Sequence, residues 1–111
     1  MDKGYAVVLT TVDSAAAAER LTAALLDARL AACIQQLAVS STYVWQNERC
    51  QGEELLLLIK SRRDLYPQIE ALLRTQHPYE LPEIIMLPIT AALPAYLNWI
   101  DETTASGTQE P

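Results

Sequence analysis

Apolar and polar positions along the chain fall into strand-like runs and helix-like stripes that succeed one another. Tyr5-Ala-Val-Val-Leu-Thr-Thr11 is β-branched and apolar, which predicts a first strand, and Asp13 or Ser14 then offers an N-cap side chain. From Ala16 to Arg29 the residues Ala17, Leu21, Ala24, Leu25 and Ala28 recur on one helical face, with Glu19, Arg20 and Asp27 on the solvated side. Ala31 to Trp45 returns to β-type residues and reads as one long strand, bent near Ser40 and Ser41. The polar stretch Gln46 to Gly52 predicts a chain reversal, because Asn47 and Gly52 tolerate positive φ.

Glu53 to Lys60 follows as an apolar run bracketed by charges and too short to favour a helix. Asp64 is placed to cap a second helix whose first turn accepts Pro67 and whose buried stripe is Leu65, Ile69, Leu72 and Leu73. That helix is expected to stop at His77, since Pro78 disfavours helical backbone in the residue before it. Glu83 to Ile89 reads as a last strand in which Pro88 implies an edge or a bulge, and Pro94 to Ile100 as a short closing helix. Residues 1–102 are expected to form one domain, and 103–111 a flexible tail with little to bury.

The predicted order, β-α-β-β-α-β-α, is that of an α+β, ferredoxin-like sandwich with an added C-terminal helix. Both long helices then cover one face of a four-stranded antiparallel sheet. The other face needs cover of its own, because Leu55 to Ile59 and Ile84 to Leu87 do not alternate with polar residues as half-wet strands do. Burying about six large side chains there is worth on the order of 10 kcal/mol per subunit as an upper bound, so self-association is expected.

Composition sharpens this picture. Half of the 111 residues are hydrophobic, enough for a core, and a net charge of -6 argues against nucleic acid and favours cations. No apolar run approaches the ~20 residues of a membrane helix, and Met1 to Val8 offers no secretion signal. Cys33 and Cys50 lie far apart in the sequence and form no redox or zinc motif, which fits free thiols in the cytoplasm.

The segment His77-Pro-Tyr-Glu-Leu-Pro-Glu-Ile84 resembles the H-P-Y-E-x-P-E-I signature of the CutA family. Leu30-Ala-Ala-Cys33, Tyr43-Val-Trp45, Glu54 to Lys60 and Tyr96-Leu-Asn-Trp-Ile100 join it in family order, so the resemblance runs from Val7 to Asp101. It implies a compact homotrimer with hairpin strands crossing subunit boundaries, similar in structure to the PII signalling trimers that bind small ligands between subunits. It also implies a part in tolerance of copper and other divalent cations. The copper ligands proposed in the family are a Cys at the end of the first strand and two consecutive His before the P-Y motif. Thr10, Gln76 and His77 occupy those positions here.

His77 is the only histidine, and it is either a metal ligand or a cap for the end of its helix. Cys33 is a second donor for Cu(II) or another divalent cation, or else a small buried hydrophobe. Cys50 falls in the predicted hairpin loop. Tyr79 and Glu80, in a proline-flanked loop, join Trp45, Glu54 and Lys60 as candidates to line an intersubunit cleft holding a small molecule; alternatively Glu80 pairs with Lys60 while the aromatic rings pack. No Ser-His-Asp order, glycine-rich phosphate loop or H-E-x-x-H motif points to an enzyme. The expected function is a trimeric, cytoplasmic protein of the divalent-metal response that binds cations weakly. The alternative is a PII-like small-ligand sensor or interaction scaffold.

Overall fold

A computed structural model describes residues 4–105. Its elements are β1 (Tyr5–Val12), α1 (Ala15–Asp27), β2 (Cys33–Trp45), β3 (Glu48–Arg62), a 3-10 turn (Arg63–Leu65), α2 (Tyr66–Gln76), β4 (Ile85–Ile89) and α3 (Pro94–Thr103). The predicted element order holds. All strand pairs are antiparallel and the sheet runs β2-β3-β1-β4, so Pro88 does lie on an edge strand, where a missing N–H is tolerated.

Local chemistry sets the element ends. Ser14 is the N-cap of α1 and its hydroxyl accepts from the Ala17 N–H at 3.1 Å. The helix closes through Arg29, whose φ of 58° turns the chain so that the Leu30 N–H reaches the Leu25 carbonyl. Asp64 does not cap α2, contrary to expectation. Arg62 takes its carboxylate at 3.0 Å, a 3-10 turn intervenes, and Leu65 stands at the N-cap with no side-chain bond. α2 ends at Gln76, and His77 adopts the extended backbone that Pro78 requires.

Paired residues share a sheet face, so the register separates two surfaces. Val8, Val12, Leu57 and Ile59 face the helices and pack with Leu21 and Leu25 of α1 and Ile69 and Leu73 of α2. On the opposite, helix-free face stand Val7, Leu9, Leu37, Leu56, Leu58, Ile85 and Leu87, as the registers Val7↔Lys60, Thr11↔Leu56, Leu37↔Leu56 and Leu9↔Ile85 require. Leu57 and Ile59 are 0% exposed, whereas Leu37, Ile85 and Leu87 are 56%, 44% and 47% exposed. The missing alternation in the sequence therefore corresponds to a second apolar face that a lone chain leaves open.

The β2–β3 hairpin differs from expectation at its tip. Reversal takes only Gln46 and Asn47, both with positive φ (53° and 67°), and β3 resumes at Glu48. Cys50 is accordingly a strand residue opposite Tyr43, not a loop residue. No bend interrupts pairing at Ser40 and Ser41. β1 stops at Val12↔Leu55, so the seven pairs from Val39↔Glu54 to Trp45↔Glu48 extend past it as a two-stranded arm about 23 Å long.

α3 lies over the other end of the helix-free face. Tyr5 donates to Asp101 at 2.6 Å, and Arg62 donates to the Thr104 hydroxyl and the Ala105 carbonyl, each at 2.6 Å. Arg29 adds contacts to the Glu102 and Thr103 carbonyls. Of the expected tail, residues 103–105 thus belong to the fold, because two guanidinium groups occupy the carbonyls that end α3; 106–111 lie outside the described residues.

Candidate functional site

A cleft of about 650 Å³ opens where the arm leaves the sheet. Its floor is Thr11, at the end of β1; Ser41, Thr42, Tyr43 and Trp45 of the arm and Glu54 of β3 form one side, and the loop Tyr79, Glu80, Leu81 and Glu83 forms the other. Strand parity places Ser41, Tyr43, Trp45 and Glu54 on one face, since Ser41 is opposite Gly52, Tyr43 opposite Cys50, and Glu54 two residues on.

His77 holds the loop to the sheet. Its Nδ1 lies 3.1 Å from the Tyr79 N–H, which can only donate, and its Nε2 lies 3.0 Å from the Thr11 carbonyl, which can only accept. These partners require the neutral tautomer with the proton on Nε2, which also approaches the Thr10 hydroxyl at 3.1 Å. Burial is the main influence on the ring and pushes its pKa below 6.5, outweighing the bond to Thr11 and the carboxylates of Asp13 and Glu54. The Tyr79 ring meets the imidazole edge-on, with centroids 4.8 Å apart.

From that anchor Tyr79 spans the cleft and its hydroxyl donates to Glu54 Oε2 at 2.6 Å. Burial and the adjoining carboxylate push the phenol far above its ordinary 10, so it remains a donor. Among the described residues, the lining carries three carboxylates (Glu54, Glu80, Glu83) and three aromatic rings, with no lysine or arginine.

The structure brings Trp45, Glu54, Tyr79 and Glu80 together and leaves Lys60 out. Lys60 lies six pairs from the arm's first pair, Val39↔Glu54, opposite Cys33 and Val7, and donates to Gln35 Oε1 at 2.8 Å. Cys33 is on the helix-free face near Tyr96 of α3, whereas His77 bonds at Thr10 and Thr11, so the two do not converge. Among the described residues, no three His, Cys, Asp or Glu side chains are grouped to hold a metal ion. With both imidazole nitrogens engaged, the residues of a single chain do not fit a dedicated metal centre. Thr11, Tyr43 and Glu83 line the cleft without having been singled out in the sequence. Period-two parity from Trp45, within the strand already predicted, is the signal that points to Tyr43.

Among the described residues, no helix is long and apolar enough to cross a membrane. The family model for the CutA1 divalent ion tolerance protein matches residues 6–103. The divalent-cation tolerance protein CutA of Thermus thermophilus is 40% identical over 99 residues, covering 88% of this chain and 96% of its own. CutA1 of the psychrotrophic bacterium Shewanella sp. SIB1 superposes with a TM-score of 0.89 at 41% identity, over 96% of this chain and all of that one. A CutA structure from Archaeoglobus fulgidus, described as periplasmic, gives 0.87 at 29% identity over 89% of this chain and 97% of its own. The family is named for tolerance and not for a reaction. In sequence along nearly its whole length and in fold, the chain belongs to the CutA1 divalent ion tolerance family.

Proposed function

We propose that the chain works as a homotrimer in the response to divalent metal ions, without catalysis, and that it binds copper or another divalent cation only weakly. The observation that supports assembly is the open sheet face. Seven large apolar side chains, Val7 to Leu87 in the register above, are left half-buried or exposed in one subunit. At ~1.5 to 3 kcal/mol for a side chain fully buried, covering the exposed halves is worth on the order of 5 to 10 kcal/mol per subunit. Three copies is the number that the resemblance of the sequence implies.

Weak cation affinity follows from the site. A metal must either displace the partners of His77 or share carboxylates that do not converge. Cytoplasmic residence suits the free thiols of Cys33 and Cys50. Isothermal titration of the protein with Cu(II) tests the metal reading: binding at about millimolar or tighter, weakened by His77→Ala, is expected. No binding in that range, or binding indifferent to the substitution, overturns it.

A second reading, a PII-like small-ligand sensor, is favoured by the cleft itself. Its 650 Å³ falls within the ~300 to 1,000 Å³ usual for small-molecule sites. Ligands that bind only the folded protein raise its melting temperature, so a thermal-shift screen across metabolite classes tests this reading.

A further inference from the structure

We infer that the cleft at the root of the hairpin arm is a site for an organic cation: a primary ammonium group carried on a hydrocarbon body. This deepens the small-ligand reading and rests on it. Charge decides the class first. Glu54, Glu80 and Glu83 face a cavity that, among the described residues, no lysine or arginine lines, so phosphates and carboxylates are repelled.

Spacing decides next between a bare ion and a molecule. No three acidic, His or Cys side chains group closely enough to hold a metal, so the negative charge is spread over the walls. A spread of carboxylates suits a ligand that carries its charge on an extended body. The remaining walls fit such a body. Tyr43, Trp45 and Tyr79 present aromatic surface, whose negative π faces attract ammonium groups and whose area covers the attached hydrocarbon. Thr11 and Ser41 add hydroxyl oxygens that accept N–H bonds.

The site is also held in place before any ligand arrives. Tyr79 keeps Glu54 oriented at 2.6 Å, and His77 fixes the loop carrying Tyr79 to the end of β1. An oriented carboxylate beside aromatic surface loses little freedom on binding, which favours affinity from few contacts.

Calorimetric titration of the native protein with phenethylammonium, 2-phenylethanol and 3-phenylpropanoate separates charge from bulk. The ammonium is expected to saturate below about 10 mM and to bind at least about ten-fold tighter than the alcohol, with the carboxylate not binding. Glu54→Gln with Glu83→Gln keeps the side-chain shapes and an acceptor for Tyr79, and is expected to weaken the ammonium about ten-fold; circular dichroism checks that the variant is folded. Equal affinity for alcohol and ammonium, indifference to the two substitutions, or no saturation by the ammonium overturns the inference. The thermal-shift screen on the same sample keeps the readings apart: ammonium failing on a protein that another class of small molecule stabilises sinks this inference alone.

Discussion

Tyr79 and Glu54 join the two walls of the cleft through a single hydrogen bond of 2.6 Å, from phenol to carboxylate, across 25 positions of sequence. A bond to a charged acceptor in a half-buried setting contributes about 1.5 kcal/mol. Tyr79→Phe keeps the ring packed on His77 and removes only that bond. Its urea midpoint should fall by a corresponding amount with the slope unchanged, measured at fixed protein concentration because assembly is linked to folding. An unchanged midpoint would show that the bond is not made in solution.

His77 should give the protein a stability loss on mild acidification. Its pKa is lowered in the folded state, so the unfolded chain takes up a proton first as pH falls. The contribution is fully present above the unfolded value near 6.5 and is lost as pH drops from there through the folded value. Protonating Nδ1 would also break the bond from the Tyr79 N–H. Denaturation midpoints of the native protein and His77→Gln should converge between about pH 7.5 and about pH 5. Parallel curves would show that the imidazole is not held neutral.

Leu58 lies on the helix-free face, flanked by Leu9 of β1 and Gln35 of β2. Leu58→Asp places a charge where a neighbouring subunit would cover it and leaves the helix-side core of Leu57 and Ile59 intact. Sedimentation of the native protein should give about three times the 12.3 kDa of one chain, and the variant should sediment as a smaller species. A native species of 12.3 kDa would remove the basis for assembly.

Much of this architecture is legible from residue patterning, and the failures share a cause. The α1 stripe, Ser14, the Pro78 stop and the edge position of Pro88 each rest on local chemistry that the fold leaves undisturbed. The hairpin tip misleads because Gly52 reads as a turn residue, while the reversal uses Gln46 and Asn47 in left-handed conformations. That error hides the register that sets Glu54 on the same face as Tyr43 and Trp45; Lys60 shares this parity, and its distance along β3 is what leaves it outside the cleft. Asp64 misleads for another reason: Arg62, two residues away, takes the carboxylate that would have capped α2. Arg29 and Arg62 carry no local signal of their role, and only tertiary proximity shows them fastening α3.

The same tip offers a stabilising change. Gln46 holds a φ of 53°, which costs a residue with a Cβ about 1 kcal/mol or more, and two-residue turns with both φ values positive favour Asn-Gly. Gln46→Asn with Asn47→Gly should raise stability by about 1 kcal/mol, read as a higher melting temperature. A lower one would mean that the native tip makes contacts in the assembled protein that the substitution removes.

The place of β1, between β3 and β4, has a kinetic consequence. The β2–β3 hairpin can zip from Trp45↔Glu48 outward using neighbours in sequence, whereas Tyr5 has to find both Arg62 and Ile89. Loop-closure entropy makes such distant pairings slow. The middle of the sheet therefore closes late in folding, and until it does, β3 presents an unpaired edge on which a second nascent chain can dock in place of the strand that belongs there.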